Sequence, residues 1–308
     1  MKESKKNRKL KLKGYIFAMI ALFSWGIHGP AGRFLALEGI DMYFVTVSRL
    51  WMGTIVFFLF LLFKGELHFD FKENFRKVIF LSLVGLSMNT FLYHLTLIYL
   101  PATLTMILEN LAPVFVLFLS YFLLRHKPSK IEIVSLILSF SGLIFILSGK
   151  QALIAFHPKY IIGIILGVLT GLTFGLYTFF SGELVKPLKD NQTAIIKFLF
   201  KIFFFSAIIM TPLLFRNIRK PYELKHWLWL MEMGIFQSGI SYLFWNYSLT
   251  ILKANIVSIL FLFTIFFTTI NEIVFLGLNL NFYMIIGGLL IITAGIILSK
   301  GSGEQLNE

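Results

Sequence analysis

The sequence contains no cysteine, which removes disulfides, thiolate nucleophiles and cysteine-ligated metals from its chemistry. It is also poor in charge: 14% of its 308 residues are Asp, Glu, Lys or Arg, against about 25% in a typical soluble domain. Nothing matches the phosphate-cradling pattern G-x-x-x-x-G-K-[ST], so a primary ATP-driven pump within this chain is excluded. The apolar runs do not alternate with polar residues, which excludes a membrane barrel. What is present is long apolar segments. Hydrophobic residues make up 57% of the chain, with 36 Phe and a mean hydropathy of +0.83. Runs of about 20 apolar residues recur from end to end, the length at which an α-helix crosses the hydrocarbon core. The fold class expected is all-α integral membrane.

The formal charge of +13 comes from 28 Lys and Arg against 15 Asp and Glu. In a soluble chain that excess would suggest nucleic acid. Here seven of the basic residues lie within residues 1–13, directly before the first apolar run. They read as a cytoplasmic flank obeying the positive-inside bias, and no nucleic-acid partner is expected. The same start resembles a signal peptide. Its apolar segment takes part in an internal repeat, however, so it is expected to remain as the first span.

Ten spans are expected, at 14–34, 43–63, 77–99, 102–124, 130–149, 160–182, 193–214, 226–248, 254–276 and 282–299. An even number puts both termini on one side, and the Lys-rich start makes that side the cytoplasm of a plasma-membrane protein. Lys64, Lys72, Arg76, Lys77, Arg125, Lys127, Lys130, Lys186 and Lys189 then fall in inner loops, while outer loops 35–42, 100–101 and 277–281 carry no Lys or Arg. Loop 215–225 disagrees, placing Arg216, Arg219, Lys220 and Lys225 outside.

The chain repeats itself. Gly14, Ala18, Leu22 and Gly26 step along one helix face, and Gly163, Gly167, Gly171 and Gly175 repeat the spacing 149 positions later. FSWG (23–26) is answered by LTFG (172–175), FLYHL (91–95) by FWNYS (244–248), and SFSGLIFILS (139–148) by IITAGIILSK (291–300), with Gly295 at an offset of 153 from Gly142. Two halves of five spans follow: 14–150 and 151–300, flanked by the basic segment 1–13 and a cytoplasmic tail 301–308. Five is odd, so the second half runs inverted relative to the first. Inverted repeats around a midplane site are a recurring plan of secondary transporters, and small residues at every fourth position let helices approach closely.

On these features the chain resembles the drug/metabolite transporter superfamily, in particular its ten-span EamA-type members. The matching residues are Trp25-Gly26 in the first span, Arg49 early in the second, Pro101-Ala102 entering the fourth, Pro113 within it, and Gly142 and Gly295 late in the fifth and tenth. The resemblance implies a basket of helices around a central cavity, with the fifth and tenth spans packed at the rear, and it tilts the direction of transport toward export. Two positions depart from the family's pattern. Arg125-His126 and Gly277-Leu278 stand where members often carry Gly-Glu, and Phe266 replaces the proline expected in the ninth span.

Depth places the buried polar residues in one layer. The stretch FLYHLTLIYLPATLTMILENLAP (91–113) folds back at Pro101, which begins a helix but cannot continue one. His94 and Glu109 then lie ~10–12 Å below the membrane surface. His28 and Arg49 each come out ~9 Å from the same face. With Tyr93 and Asn110, four spans contribute to the layer. Three roles are open for it. Glu109 takes up a proton or a substrate ammonium while Arg49 holds a carboxylate by its planar fork. Alternatively, His94 or His28 exchanges protons with Glu109. In the third, Arg49 and Glu109 form a structural ion pair. In the second half Tyr177, Trp245, Asn246, Lys197 and Lys201 fall nearer the inner face. Lys201 is a candidate counterpart of Arg49, and Lys197 a lysine snorkelling to the interface. Trp25, Tyr93, Tyr177, Tyr242 and Trp245 are candidate cavity walls, whereas Glu232 and Glu272 read as interfacial.

These residues point to a secondary transporter of a small organic solute such as an amino acid, since both charge signs beside aromatics suit a zwitterion. Protons are a candidate coupling ion, and the remaining partner is the lipid bilayer. A translocase of a lipid-linked or amphiphilic substrate is the alternative. A lipid-modifying membrane enzyme is a further one, but His68, His126, His157 and His226 have no carboxylate pair at ligand spacing in the sequence. No catalytic residue, metal or cofactor is therefore expected.

Overall fold

The computed structural model describes residues 2–68, 70, 74–125, 127–147, 158–215, 221–277 and 282–301. Every regular element among them is helical. The first half comprises α1 (Lys2–Leu37), α2 (Met42–Phe63), α3 (Phe75–Phe80), a π-helical segment Leu81–Met88, α4 (Asn89–Tyr99), α5 (Ala102–Glu109), α6 (Ala112–Leu124) and α7 (Lys130–Leu147). The second comprises α8 (Pro158–Val185), α9 (Gln192–Met210), α10 (Leu224–Glu232), a π-helical segment Met233–Ser241, α11 (Tyr242–Ile251), α12 (Ala254–Leu260), α13 (Phe263–Leu276) and α14 (Phe282–Gly301). Among the described residues, seven stretches are long and apolar enough to cross a membrane: Lys9–Leu37, Met42–Phe63, Phe75–Tyr99, Ala102–Leu124, Ile161–Leu188, Gln192–Phe215 and Ala254–Phe275. The protein is a multi-pass membrane protein. The basic flank before the first span is itself helical. Lys and Arg are good helix formers, and α1 starts at Lys2.

Several helices are interrupted where the 3.6-residue period gave no warning. The two π-helical segments each insert a wider turn at corresponding places in the two halves. The turn at Leu100-Pro101 forms as the proline predicts, with φ/ψ of −121°/151° and −55°/154°. Leu252-Lys253 adopts nearly the same conformation without a proline, at −106°/153° and −65°/148°. Between α5 and α6 the helix breaks at Asn110-Leu111. Pro113 sits in the first turn of α6 and, having no N–H, leaves the carbonyl of Glu109 without its helical donor. The corresponding break at Phe261-Leu262 forms although Phe266 stands in place of that proline. There the Thr264 hydroxyl donates to the Phe261 carbonyl at 2.5 Å, a side-chain bond that competes with the helical one. Arg125 ends α6 with φ 52° and Gly277 ends α13 with φ 68°. Both helices close in the left-handed conformation, but only the glycine does so without a Cβ clash.

Packing pairs the halves reciprocally. α1 lies against α11, α13 and the π segment 233–241, while α8 lies against α4, α5, α6 and the π segment 81–88. α2 packs on α9, and α7 runs along α14. The glycine rows are the contact lines. A Cβ on Gly26 would lie 2.3 Å from Phe267 Cβ, and one on Gly171 would lie 2.7 Å from the Leu108 carbonyl oxygen. In lipid no hydrophobic force drives helices together, so this close backbone approach is what holds them. Gly171→Leu is therefore expected to lower the melting temperature of the purified protein in detergent. A backbone oxygen cannot swing aside as a side-chain tip can, and overpacking of this kind costs roughly 1–3 kcal/mol. An unchanged melting curve would mean that α8 does not pack on this line.

Lys225, which the charge pattern left unexplained, donates to Glu38 in the α1–α2 turn at 3.2 Å and lies 3.1 Å from Glu223. Arg216, Arg219 and Lys220 of the same loop lie outside the described residues, as do Lys72, His126, His157, Leu278 and the tail 302–308. The hydrogen bond from Lys225 holds the Glu38 carboxyl below its ordinary range. The stability this lends is present above that ordinary range and lost as pH falls through the lowered value. His226, expected to lack nearby carboxylates, is fully buried with Nε2 3.5 Å from Glu38, and Glu38, Glu223 and His226 gather within 4.8 Å of one another. The α1–α2 turn supplies the second carboxylate, which no local spacing reveals. At the other end Lys197 pairs with Glu66 at 2.8 Å.

Candidate functional site

Arg49 lies on the buried face of α2, one turn after Thr46. Its Nε donates to Ser238 Oγ at 2.9 Å and its Nη1 lies 2.8 Å from His28 Nε2. Ser238 belongs to the π segment of the second half, so this one guanidinium joins the two halves. The His28 ring stacks on Tyr93 with centroids 4.4 Å apart, and its Nε2 is 3.3 Å from His94 Nε2. His94 Nδ1 lies 2.8 Å from the Thr46 hydroxyl, which itself donates to Met42 O. The common depth assigned to His28, Arg49, Tyr93 and His94 thus becomes direct contact. All four are buried.

Glu109 is the last residue of α5, at the break. Asn89 Nδ2 donates to its Oε1 at 3.1 Å and to the Thr170 carbonyl at the same distance. No ion pair joins Glu109 to Arg49, and no hydrogen bond joins it to His28 or His94. The structural-pair role therefore has no geometry behind it here. Arg49 and Glu109 instead line one central cavity with Trp25, His28, Asn89, Met106, Phe174, Tyr242 and Phe261. Its volume is about 10 Å³. One water needs ~10–15 Å³ and organic ligands occupy pockets of ~300–1,000 Å³. The halves are closed around the two charges.

Of the residues chosen from sequence, Trp25, His28, Arg49, Glu109 and Tyr242 line this cavity, and Tyr93 and His94 back His28. Asn110 sits beside Glu109 but points across the break, donating to Thr264 Oγ1 at 3.2 Å. The two broken helices thereby meet at their breaks. Tyr177, Trp245 and Asn246 form the layer behind. Asn246 Nδ2 donates to the Tyr177 hydroxyl at 2.9 Å, Ser181 donates to Asn246 Oδ1, and Trp245 packs on Trp25 with centroids 5.1 Å apart. Lys201, the candidate counterpart of Arg49, does not join Arg49 here. It lines a separate cavity of about 250 Å³ with His68, Asp70 and Lys197, away from Arg49 and Glu109. Depth along one helix cannot tell which neighbour that face meets. Glu272, read as interfacial, is buried and accepts from Thr103 across the α13–α5 contact. Asn89, Met106, Phe174 and Phe261 were missed. Phe174 had a signal, since it is the counterpart of Trp25 at the offset of 149, and the two rings meet edge to face at 5.6 Å.

The profile of the EamA-like transporter family matches residues 12–148 and again residues 161–300. The chain belongs to the EamA-like transporter family. An uncharacterized transporter of Clostridium kluyveri is 24% identical over 301 residues, covering 96% of each chain. One of Archaeoglobus fulgidus is 26% identical over 95% of this chain and 99% of its own. YxxF of Bacillus subtilis, also named an uncharacterized transporter, is 27% identical over 199 residues. Among solved structures, one crystal structure superposes with a TM-score of 0.76 at 15% identity, over 96% of this chain and 99% of that one, a likeness of fold. Family and relatives point to a transporter rather than an enzyme.

Proposed function

We propose that this EamA-like protein is a secondary active transporter that exports a small zwitterionic metabolite, such as an amino acid, by alternating access coupled to protons. The observation that carries the reading is that Arg49 and Glu109 line one closed cavity without pairing with each other. Two opposite charges held apart in a low-dielectric interior are costly unless a ligand or proton completes them. A zwitterion completes both, its carboxylate on the guanidinium fork and its ammonium on Glu109, between walls of Trp25, Phe174, Tyr242 and Phe261. The reading takes the chain as ten spans in two inverted halves with both termini in the cytoplasm of the plasma membrane. The reciprocal packing, the paired π segments, the paired helix breaks and the double family match support it. A closed cavity of this size means that loading requires the halves to part at the Arg49–Ser238 bond.

Thermal stabilisation of the purified protein against amino acids, amines, nucleosides and sugars at two pH values tests the substrate class. A ligand at a hundred times its Kd stabilises the folded state by ~2.7 kcal/mol. A shift confined to zwitterions is expected; a shift with amphiphiles alone would replace this reading with a lipid-linked substrate. For the orientation, a cysteine placed at Gly39, in the α1–α2 turn, is expected to react with an impermeant maleimide from outside intact cells. Labelling only after lysis would reverse the topology.

A further inference from the structure

A cavity of about 590 Å³ lies remote from the polar layer. It is a crevice between the start of α3 and the last turns of α6 and α8, lined by Phe80, Leu123, Leu124, Phe179, Phe180 and Leu184, with Arg76, Lys77 and Glu183. The charges and the apolar groups are ordered by depth. Arg76 and Lys77 open α3, and Phe80 follows about one turn, ~5 Å, further in. Glu183 closes α8, and Phe179 and Phe180 lie a turn before it. The crevice thus has a charged rim at one end of the bundle and a phenylalanine- and leucine-lined interior that runs toward the hydrocarbon. Phe80 and Phe180 meet edge to face at 5.4 Å and together form part of one wall of the crevice. Phe80, Leu123 and Leu124 are exposed, so the slot opens sideways.

We propose that this crevice binds one anionic phospholipid of the surrounding bilayer, its phosphate between Arg76 and Lys77 and an acyl chain along Phe80, Phe179 and Leu123. A crevice facing lipid fills with an acyl chain whatever the headgroup. The rim is what selects. Arg76 and Lys77 make no ion pair or hydrogen bond among the described residues, and their two charges outweigh the single carboxylate of Glu183. Unpaired cations at the headgroup level each attract an anionic lipid, and a basic pocket between helices concentrates that attraction at one place. The inference rests on membrane insertion alone and stands or falls independently of the transported substrate.

The test is melting of the purified full chain in detergent supplemented with dioleoylphosphatidylglycerol or with dioleoylphosphatidylcholine, lipids with identical chains and different charge. The wild type is expected to bind the glycerol lipid roughly 10- to 30-fold more tightly. The double variant Arg76→Gln/Lys77→Gln is expected to bind the two lipids alike. Its melting with the choline lipid should match wild type, which verifies that the exposed substitutions leave the fold intact. Equal binding by the wild type, or a preference that survives in the double variant, overturns the site. Glycerol 1-phosphate, which carries the charge without the chains, should not stabilise the protein. Stabilisation by it equal to the lipid's would make this a site for free anions and overturn the lipid assignment.

Discussion

Glu109→Gln is expected to abolish proton-driven accumulation, while exchange of substrate between pre-loaded vesicles persists at a higher substrate concentration because the ammonium has lost its carboxylate partner. Glutamine keeps the size of the side chain and an oxygen for Asn89 Nδ2, so the contact seen at 3.1 Å survives the substitution. What is lost is the negative charge, and with it the capacity to carry a proton. Each pH unit of gradient is worth about 1.4 kcal/mol per proton, a tenfold concentration ratio for one coupled proton. In the variant that ratio should fall to ~1, because an uncoupled carrier only equilibrates its substrate. Accumulation persisting in Glu109→Gln would remove Glu109 from the coupling. Loss of folded protein in detergent, with exchange lost as well, would make the carboxylate structural despite its unpaired geometry.

Arg49→Lys is expected to weaken zwitterion binding by roughly 10- to 100-fold, the value of one or two charge-assisted hydrogen bonds. Arg49 uses Nε for Ser238 and Nη1 for His28. A lysine ammonium is a single point and cannot hold both partners while presenting a planar fork to a carboxylate. The amine that lacks the carboxylate gives the control, and its binding should change by less than about threefold, since it never used the fork. If amine and zwitterion weaken together, Arg49 acts by tying α2 to the π segment of the second half, and the carboxylate site lies elsewhere.

The history of individual residues shows where sequence reasoning was strong. Counting residues along each span put His94, His28 and Arg49 near one depth, and His28 touches both of the others. Depth is a one-dimensional quantity set by helical rise, so it survives ignorance of the fold. The same arithmetic could not say which cavity Lys201 lines, and it lines another one. It also left Glu272 at the interface when Thr103 on a different helix buries it. Both cases concern which neighbour a helix face meets. The break at Asn110 has a proline, Pro113, beside it, although the span 102–124 was expected unbroken, whereas its counterpart at Phe261 has none. There a threonine hydroxyl performs the interruption, and threonine inside an apolar helix gives no such signal by itself.

By itself the sequence determined that this is a helical multi-pass membrane protein, that its halves echo each other, and that a few charged groups lie within the membrane. Those properties follow from composition, period and offset, which are local or one-dimensional. Only the tertiary structure decided that Arg49 and Glu109 line one cavity without pairing, that Ser238 and Asn89 hold them there, and that the cavity is closed. Helix rotation and the partner of each face are set by close backbone contacts such as Gly26 on Phe267 and Gly171 on Leu108. Those contacts arise between residues more than sixty positions apart, and no spacing along the chain records them.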